Sequence, residues 1–104
     1  GFIAVTTPQE LALTDAKRSI NMVRKMNLPI LGVVENLAGE IFGEGAGEDL
    51  ANQMDLEFLG RLNLRPDYRD TSKPTVLLSD QVRDEYQIIV SNIENRLSQT
   101  TSTA

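Results

Sequence analysis

Residues 28–36, Leu-Pro-Ile-Leu-Gly-Val-Val-Glu-Asn, set the strongest limit on what this chain can fold into. An apolar, partly β-branched run that stops at a Glu-Asn pair reads as a strand buried on both faces. Such a strand belongs in a parallel sheet with helices above and below. It also delivers one carboxamide, Asn36, to its carboxyl end, the edge where open α/β sheets bind ligands.

The flanking sequence supplies matching elements. A strand is predicted over residues 2–6, followed by a clear helix start at Thr7-Pro-Gln-Glu10. Thr7 suits the cap, Pro8 the first helical position, and Glu10 the last place of a capping box. The helix should run to about Met26, with Ala12, Leu13, Ala16, Ile20, Val23 and Met26 recurring at three- and four-residue spacing. Asn27 closes it and Pro29 enforces the stop. After the strand predicted over 30–35, residues 36–46 read as a glycine-rich loop, 47–54 as a short helix and 57–62 as a third strand. Residues 63–79 read as irregular, with one turn near Pro66-Asp-Tyr-Arg69. Asp80 is expected to cap a last helix whose buried stripe is Val82, Tyr86, Ile89, Ile93 and Leu97. The Ser/Thr-rich residues 98–104 are expected to form a disordered tail, leaving a domain over 1–97.

This β-α-β-α-β-α order implies an α/β fold, a three-layer fragment with parallel strands and right-handed crossovers. Three strands make a thin sheet with free edges, so further strands are expected from a missing amino-terminal part or a partner chain. Gly1-Phe-Ile-Ala-Val5 already reads as a core strand with no lead-in, which suggests a fragment.

Composition narrows the function classes. A net charge of −5 argues against non-specific nucleic-acid binding. No apolar run approaches the roughly 20 residues that span a bilayer, and no signal peptide is visible. The chain has no cysteine and no histidine. Disulfides and thiolate metal sites are therefore excluded, as is the usual neutral-pH acid–base residue. The lack of cysteine is compatible with a cytoplasmic protein.

Four constellations bear on chemistry. Asn36 can donate to adenine N7 and accept from adenine N6, the pairing by which carboxamides read adenine; alternatively it is a turn Asn bonded to its own backbone. The loop Gly43-Glu-Gly-Ala-Gly47 is glycine-rich, but it lacks the Gly-Lys-[Ser/Thr] end of a phosphate loop, and Glu44, Glu48 and Asp49 would repel phosphate. Glu35, Glu40, Glu44, Glu48 and Asp49 crowd one region; a solvated acidic loop is the expected reading, ahead of an oxygen-ligand cation site. Thr6, Thr7 and Gln9 lie at the carboxyl end of the first strand, on the ligand side, with helix capping as the alternative role.

The segments Val5-Thr-Thr-Pro-Gln-Glu-Leu-Ala, Gly-Val-Val-Glu-Asn36 and Ile41-Phe-Gly-Glu-Gly resemble the carboxyl-terminal half of the Mrp family in order and spacing. These are P-loop ATPases, related to MinD and ParA proteins, that carry iron–sulfur clusters. The resemblance covers about residues 3–79. Gly60-Arg-Leu-Asn-Leu-Arg-Pro66 resembles the family's Gly-x-Ile-Pro-Leu-Asp-Pro, with Asn63 in place of Pro and Arg65 in place of Asp. The resemblance implies ATP, with Mg in the intact protein, and nucleotide contacts from Asn36, Leu62, Asn63, Leu64 and Pro66. It implies no catalytic residue and no metal ligand within this chain, because the P-loop, magnesium site and switch aspartates would precede Gly1. It also implies a cytoplasmic homodimer, or pairing with a missing amino-terminal half, and iron–sulfur client proteins. Neither nucleic acid nor membrane is implied. Where the family carries Cys-x-x-Cys, this chain has only Leu37-Ala-Gly-Glu40, so a bridging iron–sulfur cluster is not expected.

The rival readings are a degenerate, non-catalytic module for dimerisation or docking, and a receiver-like or flavodoxin-like domain. Glu35 is the only acid predicted to end a strand, which fits a receiver poorly. Thr6-Thr-Pro-Gln9 is a poor phosphate loop, since proline lacks an N–H.

Overall fold

The computed structural model describes the backbone of residues 1–102 and the side chains of residues 1–99. Three parallel strands, β1 (Phe2–Thr6), β2 (Ile30–Ala38) and β3 (Phe58–Asn63), form one sheet in the order β1-β2-β3. Helices α1 (Glu10–Lys25) and α2 (Ala46–Gln53) lie on one face. The other face is covered by α4 (Asp80–Ser102), which follows a 3-10 turn at Pro66–Arg69 and the single turn α3 (Thr75–Leu78).

The central strand behaves as its composition dictates. Ile30, Leu31, Val33, Val34 and Glu35 are all buried; from Val33 onward alternate residues go to opposite faces, while a register shift between the pairs Phe2–Ile30 and Ile3–Gly32 brings Ile30 to the same side as Val33. Val33 and Ile30 join Ala16, Ile20, Leu50 and Ala51 beneath α1 and α2. Val34 joins Leu59, Leu62 and Ile89 beneath α4. Gly32 permits close strand packing: a Cβ there would meet Glu57 O at 2.5 Å and Leu59 Cγ at 2.6 Å.

Helix ends show where local chemistry rules. Asn27 takes a left-handed φ of 58°, with its N–H donating to Arg24 O and the Leu28 N–H donating to Val23 O. This is the double-bonded closure that satisfies orphan carbonyls at a helix end. Asp55, with φ 56°, closes α2 in the same way through the Leu56 N–H and Ala51 O.

Several expectations are corrected. The Thr7 hydroxyl does not cap α1; it donates to Gln9 Oε1 at 3.1 Å, and the helix begins at Glu10 with Gln9 at its cap position. Ser79, not Asp80, caps α4, its Oγ accepting the Val82 N–H at 3.3 Å, while Asp80 pairs with Arg83. Val82 and Ile89 are buried and Ile93 packs beside them, but Tyr86 and Leu97 are exposed. Their places facing the sheet's outer edge go to Glu85 and Asn92, which bond β3. Helix α4 continues past Leu97 to Ser102, so the stretch read as a disordered tail is helical that far; residues 103 and 104 lie outside the described residues. Strand β2 also outruns its predicted end, reaching Ala38.

Candidate functional site

The extension of β2 is not regular. Between the pairs Glu35–Arg61 and Ala38–Asn63, three steps along β2 face two along β3, which is one extra residue. Leu37 sits in that bulge with a left-handed φ of 57°. A residue with a Cβ rarely adopts a left-handed φ, so this is a strained position of the kind that re-aims neighbours at strand ends. Next to it, half-buried Asn36 accepts the Leu37 N–H on Oδ1 at 3.0 Å. That is the local, turn-type bond of the alternative reading, and it leaves the amide nitrogen of Asn36 as its distinguishing donor.

The loop beyond is held by Glu35, which sequence reasoning assigned to a solvated acidic loop. The structure corrects this, because Glu35 is fully buried. Its Oε1 accepts the Gly47 N–H, and its Oε2 accepts the Gly45 N–H at 3.1 Å and faces Arg61 Nε at 3.4 Å. The glycine loop thus does present backbone N–H groups to an anion, but the anion is the protein's own carboxylate. Gly45, at φ 99°, makes the turn possible, and a Cβ at Gly47 would meet Glu35 Cβ at 2.6 Å. Arg61 bridges on to Glu48 at 3.1 Å and lies 5.1 Å from the Phe58 ring centroid. The remaining acidic side chains of the region are exposed, or reach only this arginine.

Opposite this loop, the segment after β3 turns across the sheet edge. The Leu64 N–H donates to Ala38 O at 2.8 Å, tying the two strand ends together. Ile41, Leu64, Arg65, Pro66, Tyr68 and Arg69 line an open cavity of about 380 Å³ there. Of the residues singled out from sequence, Leu64 and Pro66 reach this cavity. Leu62 packs inward with Val34, Leu59 and Ile89. The Asn63 N–H donates to Glu85 Oε2 at 3.4 Å, and its buried Oδ1 has no protein partner. Asn36 is not among the lining residues.

Ile41, Arg65, Tyr68 and Arg69 were not picked out as site residues. The signal available was an aromatic and two arginines around a strand-end proline. Arg65 is fixed by Glu85 (Nη2–Oε2, 3.0 Å) and Gln81 (3.0 Å), and the Glu85 hydrogen bond holds its guanidinium above the usual range. Burial pushes the Tyr68 phenol up, with Tyr86 and Glu85 adding to the effect and Arg65 opposing it. The phenol is therefore neutral at ordinary pH and offers an uncharged ring to the cavity.

The chain has no thiolate or imidazole, and among the described residues no three acidic side chains converge as a metal site. The residues present do not fit a thiolate-held iron–sulfur cluster. Among them, no helix is long and apolar enough to cross a membrane.

Comparison with known proteins agrees with this architecture. The chain is 38% identical to the iron–sulfur cluster carrier protein of Methanocaldococcus jannaschii over 93% of its own length and 38% of the relative's. It is 45% identical to the cytosolic Fe–S cluster assembly factor CFD1 of Candida glabrata, over 67% of this chain and 28% of that one. It therefore spans about a third of the length of these relatives. Its fold is shared with the septum site-determining protein MinD of Pyrococcus horikoshii, solved with Mg-ADP, at a TM-score of 0.66 and 21% identity, covering 97% of this chain and 43% of the other. The family model for ParA, described as NUBPL iron-transfer P-loop NTPase, matches residues 1–98, and the chain belongs to that family.

Proposed function

We propose that this chain forms the adenine-binding side of an ATP site in an Mrp-type iron–sulfur carrier ATPase. The observation that carries the reading is the open cavity where the loops after β2 and β3 meet, lined by Leu64, Pro66, Ile41 and Tyr68 with Arg65 and Arg69 at hand. It lies at the carboxyl edge of a parallel sheet, the ligand edge of such folds. Apolar side chains and a neutral ring suit the faces of a purine. Asn36 would read the base edge through its amide, after giving up the local bond to Leu37. The Mg-ADP held by a MinD of the same fold is consistent with this assignment. The cytosolic naming of one relative supports a cytoplasmic setting, and the naming of both as cluster proteins supports iron–sulfur clients.

Titration with a fluorescent ADP analogue tests the site. Adenine nucleotides should displace the probe and guanine nucleotides should not. Asn36→Ala should weaken binding by at least about 1 kcal/mol, the lower end for a bidentate base contact. Equal displacement by both bases, or unchanged affinity of the variant, would refute the assignment.

The chain by itself is expected not to hydrolyse ATP, because none of its residues forms the Gly-Lys-[Ser/Thr] cradle that polarises a γ-phosphate. Magnesium-dependent phosphate release that co-purifies with the chain through successive columns would contradict this. Nor should it retain a cluster on anaerobic reconstitution, since no thiolate is present. Stoichiometric iron and sulfide after desalting would show otherwise.

A further inference from the structure

Arg65 lines the cavity at the sheet edge, yet its guanidinium is committed elsewhere. Nε and Nη2 donate to Oε1 and Oε2 of Glu85 at 3.4 and 3.0 Å, and Nη1 donates to Gln81 Oε1 at 3.0 Å. Every nitrogen of the group is thereby engaged. Both anchors stand on α4 and neither lines the cavity, so the guanidinium is held toward the helix. The same carboxylate accepts the Asn63 N–H at 3.4 Å, so Glu85 clips the segment after β3 at two points. The side chains of Arg65 and Glu85 are only 22% and 15% exposed, which shields the pair from water. The family's loop pattern carries Asp at position 65, so this clip is not part of it.

The clip bears on which purine the cavity accepts. Adenine offers a donor at N6 beside an acceptor at N7, which suits a carboxamide. Guanine offers acceptors at both O6 and N7, which suits the two-pronged donor of an arginine. A guanidinium released into this cavity would therefore favour guanine. Arg69 also lines the cavity, but it is exposed, and fixing it on a base costs rotamer entropy. Arg65 is already mostly buried and, once released, would be the stronger reader.

We propose that Glu85, assisted by Gln81, is a positioning residue that sets the base preference of the nucleotide site. By holding Arg65 on α4 it withholds the donor pair that would read guanine. Specificity then comes from restraint of the wrong contact as well as from the carboxamide of Asn36. This inference rests on the adenine-site reading and deepens it.

Displacement of the fluorescent ADP analogue by ADP and by GDP measures the preference in the full chain. Glu85→Ala should raise affinity for GDP relative to ADP by at least about fivefold, the lower end for one bidentate base contact. Glu85→Gln keeps the shape and removes the charge; it should move the ratio the same way by a smaller factor, and it carries the test if circular dichroism shows the alanine variant unfolded. Adding Arg65→Met to either variant removes the donors and should return the ratio to the wild-type value. A Glu85 that merely supports the fold would weaken both nucleotides by one factor, and Arg65→Met would restore nothing. An unchanged ratio in the folded Glu85 variants, or a gain in GDP binding that survives Arg65→Met, overturns the proposal. Equal affinity of the wild type for ADP and GDP, or binding of neither, overturns the adenine site and this inference together. The clip is also read without nucleotide. The Arg65 Nε–H should exchange with solvent at least about tenfold faster in Glu85→Ala than in the wild type. Equal exchange rates would overturn the clip and leave the adenine site standing.

Discussion

Glu35→Ala is expected to lower the unfolding free energy by about 3 kcal/mol, the largest loss from removing any single polar side chain here. Glu35 is fully buried and accepts the backbone N–H groups of Gly45 and Gly47 while facing Arg61. Truncation leaves two N–H groups without their acceptor and a cavity beside Gly47. Arg61 is about one-third exposed and can rehydrate, which keeps the figure at the low end for a broken buried pair. Glu35→Gln separates the contributions. The amide oxygen can still accept from one glycine, but the NH₂ then faces the other donors, so roughly half of the loss should remain. Urea denaturation followed by circular dichroism reads both, with midpoints shifting at constant slope. If Glu35→Ala costs less than about 1 kcal/mol, the carboxylate does not hold the loop as described.

Leu59→Ala should cost a comparable amount, about 3 kcal/mol, by a different route. Leu59 is fully buried against Val34, Leu62 and Ile89, and its side chain fills the space left by the missing Cβ of Gly32. Gly32→Ala should also destabilise, because the added Cβ would meet both Leu59 Cγ and the Glu57 carbonyl. In the double variant the side-chain clash is relieved and the backbone clash is not. The two losses should therefore combine to less than their sum, without rescue to wild type. Val5→Ala, at a mostly exposed position, should stay within about 0.5 kcal/mol in the isolated chain. A loss at Val5 as large as that at Leu59 would contradict the exposed place of Val5 on the edge strand.

Much of the site was legible in part only. Leu64 and Pro66 were singled out by the resemblance of Gly60–Pro66 to the family's loop, not by any local signal, and they line the cavity. Leu62 was harder to place from sequence. It and Leu64 lie on the same face of an extended run, and only the end of β3 at Asn63 decides that one goes into the core and the other out. Tyr68 and Arg69 read as an ordinary turn, and nothing local says that a 3-10 turn will aim them at the β2 loop. Glu35 was the clearest surprise. A glutamate among other acids reads as solvated, and its burial depends on two glycine N–H groups ten and twelve residues away and an arginine twenty-six away.

By itself, the sequence determined the α/β class, the three strands and their order along the chain, the end of the first helix at Asn27 and the lineage. These follow from apolar periodicity, from glycine, asparagine and proline backbone preferences, and from motifs contiguous in the chain, all of which act over a few residues. Only the tertiary structure decided the bulge at Leu37, the burial of Glu35 and the inward turn of Leu62. Each depends on which segments meet across the sheet, and hydrogen-bond satisfaction and packing at those meetings outweigh the local preferences of the residues involved.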